Sequence, residues 1–226
     1  MNKNIFQYQT WHLLLLTALL VLLTTYISQN PQTLIGSYLN ISPRTWFYLA
    51  VAVPITHQIY VMLVWRFELY QRTFSKRWGM YHAFKIYTIG FSILFASRLI
   101  SIILLAISTQ HSWDISPLIA YATAAIITPL VLYLFYSVKT YFTMERAYGI
   151  DHFEPHYNKP YIKQGIFKYT DNGMYIFGLM ILYLPSLLLF SKAAFIAALF
   201  NHIYIWVHYY CTEKPDMRTI FGKIPS

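Results

Sequence analysis

"MYIFGLMILYLPSLLLFSKAAFIAALFNHIYIWVHYYC", residues 174–211, holds two apolar runs, Met174–Phe190 and Ala193–Cys211, parted only by Ser191 and Lys192. Each run is short for a bilayer span, which takes about 20 apolar residues in helical form. Two polar residues leave room only for a tight turn, so the pair is expected to fold as a helical hairpin. Toward the N-terminus four more runs occur: Trp11–Ser28, Trp46–Trp65, Phe84–Ile107 and Pro117–Val138. The pattern predicts an all-α integral membrane protein with about six transmembrane helices, a C-terminal helical hairpin and a short terminal helix. Pro54, Pro129 and Pro185 lie inside runs, which a membrane tolerates where neighbouring helices satisfy the freed carbonyls.

Composition points the same way. Of 226 residues, 57% are hydrophobic and 11% charged, whereas a soluble domain carries about a quarter charged residues. In a soluble chain the net charge of +9 would suggest nucleic acid, but its distribution has a simpler cause. With six spans, both termini and the segments 66–85 and 139–172 share one face. That face holds fourteen of the seventeen lysines and arginines; Arg44 and Lys192 fall opposite, and Arg98 lies within the third span. The positive-inside bias places both termini in the cytoplasm, of a bacterial inner membrane or an endoplasmic reticulum, and no nucleic-acid partner is expected. Lys3 followed by an apolar run resembles a signal peptide, but no small-x-small site follows, and the run is read as a retained first span. Cys211 stands alone, so no internal disulfide forms.

Six of the eight acids fall between Glu145 and Asp216. Topology requires basic residues on that face, not acidic ones. The segment 139–172 is also longer than an ordinary connection. Chemistry is therefore expected in residues 139–226, beyond a four-span region 1–138, the two forming a single domain. In "GIFKYTDNGMYIFG", residues 165–178, Gly165 can make the turn into the hairpin, and Asp171 or Asn172 can cap its first helix. "CTEKPDMRTIFG", residues 211–222, follows the return helix, so the two polar stretches meet on one membrane face. "DHFEPH", residues 151–156, offers four potential metal ligands, but Pro155 breaks a helix there and no second cluster with a zinc-like spacing appears, so no metal site is expected. In "NHIYIWVHYY", residues 201–210, a single stripe carries Asn201, Tyr204 and His208 and continues to Cys211. His202 lies off the stripe and is expected to make an interhelical hydrogen bond. Arg98, in "FASRLIS", has three readings: a grip on a lipid phosphate, a pair with an acid, or snorkelling from a span that ends early.

"YTDNGMYIFG" followed after a hydrophobic hairpin by "TEKPDMRTIFG" resembles the phospholipid (phosphatidylethanolamine) N-methyltransferases. Those enzymes carry an Asp/Glu-Asn-Pro-Met-Tyr-x-Gly element and a later Glu-Glu-Pro-like element. "AYGIDHFEP", residues 147–155, looks like the segment that precedes their hairpin. The pattern is also similar to the isoprenylcysteine carboxyl methyltransferases, although these place an arginine before the acid where this chain has Tyr209 and Tyr210. Gly173 replaces the family's usual proline, and Lys214 stands where a second acid is common. The resemblance covers about residues 146–222.

It implies an S-adenosylmethionine pocket, contacted by the elements around Phe153, Tyr161, Ile162, Lys163, Phe167, Tyr169, Asn172, Gly173, Met174, Tyr175 and Glu213. The residue chemistry is compatible. Phe167, Tyr169 and Tyr175 offer aromatic faces to a sulfonium, Glu213 can accept from an ammonium, and Lys163 or Lys168 can answer a carboxylate. Arg146, Arg98 and Tyr204 are candidates for holding the lipid. An ammonium acceptor must lose a proton before it attacks. His152 and His208 have the suitable range, with Glu154 and Asp171 behind them. The activity implied is methylation of phosphatidylethanolamine or its mono- and dimethyl forms toward phosphatidylcholine. Alternatives are another membrane-borne methyl acceptor, or a sterol-type reductase, which would want a clustered arginine pair where the loop offers only Arg146.

Overall fold

The computed structural model describes residues 5–154, 157 and 162–222. Among these the regular elements are all helical, with one isolated bridge between Tyr38 and Ile41. Four helices are long and apolar enough to cross a membrane. They are α1 (Gln9–Gln29), α2 (Pro43–Gln71), α4 (Met80–Ser108) and α5 (Pro117–Ser137), the last continued by a π turn at Val138–Phe142. Between α2 and α4 sits the short α3 (Thr73–Trp78).

Helix α2 outruns its apolar stretch because its charged residues are satisfied inside the protein. Arg66 and Glu68 are both fully buried. Glu68 Oε2 accepts from the backbone amides of Phe74 and Ser75 at 3.0 and 3.1 Å, two of the donors that the first turn of α3 leaves unpaired. Most of the 66–85 segment is thus helix rather than loop.

The hairpin departs further from expectation. Its first limb is not one helix but α7 (Gly173–Ile176), a 3-10 run at Gly178–Tyr183 and α8 (Leu184–Leu188). Pro185, at the start of α8, has no amide to carry a continuous helix across the join. The return limb α9 (Lys192–His208) is regular and capped by Ser191, whose Oγ accepts from Ala194 N at 3.1 Å. At 17 residues it is about 26 Å long. Its Ala193, Ala194, Ala197 and Ala198 are wholly buried, and this small-residue face lets α1, α2 and α4 pack closely around it. Pro54 lacks the amide that would pair with the Ala50 carbonyl, and Asn201 Nδ2 of α9 donates to that carbonyl at 3.2 Å. His202 meets Tyr183 Oη at 3.2 Å across the hairpin, the interhelical contact expected of it.

After α9 the chain makes a π turn at Tyr209–Glu213 and then α10 (Lys214–Phe221). Two carbonyls of the π turn, Cys211 and Thr212, accept from Arg66 Nη2 at 3.2 and 3.3 Å. Arg66 Nη1 donates to the Ile5 and Gln7 carbonyls, and Nε lies 2.8 Å from Asp216 of α10. One guanidinium therefore ties the N-terminal segment, α2 and the C-terminal helix together. The 139–172 segment is a string of short turns: α6 (Met144–Ala147) and 3-10 turns at Ile150–His152 and Gly165–Lys168. Gly149, at φ +82°, approaches Trp65 so closely that a Cβ would stand 2.5 Å from its ring. Gly165, at φ +58°, makes the turn expected of it and leaves no room for a side chain beside Ser137.

Candidate active site

Two cavities meet where α2, the short turns and the hairpin converge. The first, about 110 Å³, is walled by the turns, the hairpin entry and the π turn with α10. Three carboxyl side chains border it, Asp151, Asp171 and Glu213, together with the aromatic faces of Trp65, Phe142, Phe167, Tyr175 and Tyr209. Phe142 stacks on Phe167 at 4.8 Å between ring centres. The Tyr175 ring packs against Trp206 and Tyr209 at 5.8 and 5.4 Å.

The carboxyls sit in a demanding environment. Glu213 Oε2 is buried with no hydrogen-bond partner. Burial, reinforced by the negative charges of Asp216 and Asp151, pushes the Glu213 pKa up to about 8. Asp151 is also raised by burial, against the pull of Arg146, whose Nε lies 3.9 Å away, and its Oδ1 has no partner either. A cluster of carboxyls, two of them buried, beside aromatic faces is chemically suited to an organic cation.

The second cavity, about 170 Å³, lies deeper in the bundle and is walled by α2, α4, α5, the first hairpin limb and α9. Its lining is mostly apolar and includes Phe91 and Phe95 of α4, Leu134 and Phe135 of α5, and Val138 of the π turn. Among the described residues no carboxyl lines it; its polar groups include His57, Gln58, Arg98 and His208. Trp65, Ala147, Met174 and Tyr175 border both cavities and so form the wall between them.

The hairpin, the preceding span and the terminal helix carry the decisive match. Residues 115–224 fit the model of the phospholipid methyltransferase family. Over this stretch, just under half of its length, the chain is similar to that family. No curated protein and no solved structure matches the chain.

The expected site residues fall into three groups. Arg146, Ile162, Phe167, Asp171, Asn172, Met174, Tyr175 and Glu213 come together on the first cavity. Arg98 and His208 line the second, with Met174 and Tyr175 shared. The remaining described ones line neither cavity. His152 is buried, stacked on Trp65 at 4.0 Å, with Nε2 3.7 Å from Asp216 and Nδ1 3.3 Å from the Gly149 carbonyl. Phe153 is buried against Phe84 and Tyr87, and its carbonyl accepts from Arg72. Glu154 follows it, half-buried. Tyr169 is exposed, and Lys163 is paired with Asp171 at 2.8 Å. Gly173 is buried, with room for a Cβ only 3.2 Å from Ile166. Tyr204 Oη is bonded to His12 Nε2 at 2.9 Å. Tyr161, like His156 of the acidic motif, lies outside the described residues.

Two details refine the sequence reading. Asn172 occupies the cap position of α7, yet its side chain makes no capping bond and faces the cavity instead. Arg98 does not snorkel: α4 runs on past it to Ser108, and it is buried among helices. Sequence reasoning passed over Trp65, which reads as an interfacial aromatic, and Arg66 and Asp216, which read as surface charges. It also passed over His57 and Gln58. Adjacent polar residues inside an apolar run were a usable signal, because such residues face cavities or partner helices.

Proposed function

We propose that the protein is an S-adenosylmethionine-dependent N-methyltransferase of membrane phospholipids. It methylates phosphatidylethanolamine, or its mono- and dimethyl derivatives, toward phosphatidylcholine. In this reading six segments are embedded in the bilayer, both termini face the cytoplasm, and the shorter two segments are the hairpin limbs. The observation that carries the proposal is the pair of cavities sharing a wall at Met174 and Tyr175, acidic and aromatic on one side, apolar on the other. A charged, water-soluble donor suits the first and a lipid-borne acceptor the second.

The residues present fit the cofactor. Glu213 and Asp151 hold unpartnered buried oxygens suited to an ammonium, and Tyr175 and Phe167 offer ring faces to a sulfonium. When bound, S-adenosylmethionine supplies an electrophilic methyl group that an uncharged amine can attack in line. The chain's own contribution is positional, holding the acceptor nitrogen at the shared wall with water excluded. It must also remove a proton from the acceptor ammonium. His208, buried on the second cavity with both ring nitrogens unpartnered, is the best-placed base. His152 faces Asp216 instead, which suits it to orienting Trp65 rather than to proton transfer.

The test is incubation of the purified full-length protein with methyl-labelled S-adenosylmethionine and vesicles containing phosphatidylethanolamine, with mass analysis of the lipid products. Mono- to trimethylated lipid is the expected result. A protein that binds the cofactor yet gives no labelled lipid overturns the substrate assignment.

A further inference from the structure

Arg98 is an expensive residue without an evident compensation. It sits on a membrane-length helix and is 2% exposed. Its Nη2 donates to the Pro54 carbonyl at 3.3 Å, and its Nε has no partner. None of the ion pairs among the described residues includes it. A guanidinium keeps its charge under essentially all conditions, and a buried cation with one carbonyl for company is strongly disfavoured unless something anionic joins it. Among the described residues the wall it lines holds no carboxyl, so none of them supplies that anion there.

The neighbours of Arg98 share its situation. His57 of α2 is buried, with both ring nitrogens unpartnered, its ring edge-on to Phe91 at 4.5 Å. It lies within electrostatic reach of both Arg98 and His208. His208 is closer to the shared wall, its ring 6.0 Å from that of Trp65. Polar groups therefore run in sequence from the first cavity inward: the carboxyls, then His208, then His57 and Arg98. A neutral imidazole donates one N–H and a guanidinium donates a planar fork, the donor set that fits the oxygens of a phosphate.

We infer that Arg98 and His57 form a phosphodiester site at the inner end of the second cavity, which holds the headgroup phosphate of the acceptor lipid. The inference rests on the methyltransferase reading and deepens it by naming what the acceptor must carry besides an amine. The order of groups matches a zwitterionic headgroup in the adjacent leaflet. The amine points toward water at His208 and the shared wall, and the phosphate sits one step deeper. The acyl chains leave between α4 and α5, which make no extended packing with each other. There the exposed Phe95 and Phe135 flank the cavity. Arg98 thereby selects against long-chain amines that lack the phosphate.

The test compares two acceptors on full-length protein in mixed micelles: phosphatidylethanolamine and a phosphate-free long-chain primary amine. The wild type is expected to favour the phospholipid in kcat/KM by roughly tenfold or more, the scale of a charge-assisted contact. R98M is expected to raise KM for the phospholipid by a similar factor while leaving kcat/KM for the amine within about twofold. R98K, which keeps the charge but loses the fork, should fall between, and it covers the case in which R98M does not fold. Equal use of both acceptors by the wild type, or equal loss on both in R98K, overturns the inference. Inorganic phosphate should not compete with the lipid, whereas a short-chain phosphatidylethanolamine should; equal competition would reassign the site to a free anion. Methylation of neither acceptor by the wild type would instead sink the methyltransferase reading itself.

Discussion

The two cavities share a wall but draw differently on the N-terminal helices. Every residue lining the first lies within the matched stretch 115–224 except Trp65. The second takes His57, Gln58, Val61, Trp65, Phe91, Phe95 and Arg98 from outside it. Among the described residues carboxyls border the first and none borders the second. The difference teaches how the work is divided. The matched stretch builds nearly all of the end that suits a cationic donor, and the N-terminal helices add seven of the nineteen residues that a lipid acceptor would meet. Choice of acceptor is thus expected to vary with residues that the family pattern does not cover.

The largest effect should come from breaking the joint between the two regions. Arg66 of α2 and Asp216 of α10 are both fully buried and in contact at 2.8 Å, with Tyr70 Oη also donating to Asp216 at 3.3 Å. Removing one partner leaves an uncompensated buried charge, a loss of about 3–5 kcal/mol. R66A or D216A should therefore lower the melting temperature of the detergent-solubilised protein markedly and collapse both cavities together. The double variant R66M/D216L should recover part of the loss. Normal melting of either single variant would show that the two regions are not joined here.

A sharper test of the acidic cavity is its pH dependence. Burial moves Glu213 from its ordinary 4.5 to about 8 and moves Asp151 in the same direction. Between those values the folded chain holds more protons than the unfolded one, so stability falls as pH rises through the window. The contribution is fully present below the ordinary carboxyl value and is lost above the raised one. A bound cation reverses the preference, because it favours the carboxylate. Cofactor affinity should therefore rise with pH up to about 8 and level off above it, while over the same window the ligand-free protein grows less stable. E213Q should flatten both trends, read by thermal melts and by calorimetric titration. A wild-type cofactor Kd unchanged across the window would mean that Glu213 does not face the cofactor.

How much of this was legible in the sequence follows the same division. Long apolar runs announce helices by length alone, and the convergence of Asn172 with Glu213 follows once residues 174–211 are read as a hairpin. The break within the first limb was less visible, because Gly178 and Pro185 interrupt a run whose hydropathy never falters. Helix ends set by burial rather than by charge were hidden too. Arg66 and Glu68 end the apolar run, yet α2 continues because Asp216, distant in sequence, receives Arg66, and the amides that open α3 bond to Glu68. His57 and Arg98 were visible as polar residues in apolar runs, but their shared cavity depends on how α2 and α4 pack.

The shared wall gives a smaller, more specific effect. Tyr175 borders both cavities, and its ring is fixed by Trp206 and Tyr209. Y175A should weaken cofactor binding by about tenfold, the value of one cation–π face in a desolvated site, whereas Y175F, which keeps the ring, should stay within about twofold. If Y175A affects lipid turnover and leaves cofactor binding intact, the ring belongs to the acceptor side alone.

The smallest effect concerns the rim of the first cavity, where Lys163 and Asp171 form an exposed pair at 2.8 Å. Exposed pairs of this kind contribute less than about 1 kcal/mol, so K163A should leave the melting temperature nearly unchanged. Its influence on binding has a sign that separates two roles. If Lys163 only offsets the rim acid, removing it makes the cavity more negative. Cation affinity then improves by about twofold at low salt, and the gain fades as added salt screens it. If Lys163 instead answers the cofactor's carboxylate, as the family resemblance implies, K163A weakens binding at every salt concentration. Its exchange of Asp171 for that carboxylate would then be a step in cofactor entry. Titrations of K163A and the wild type at low and high ionic strength decide between the two.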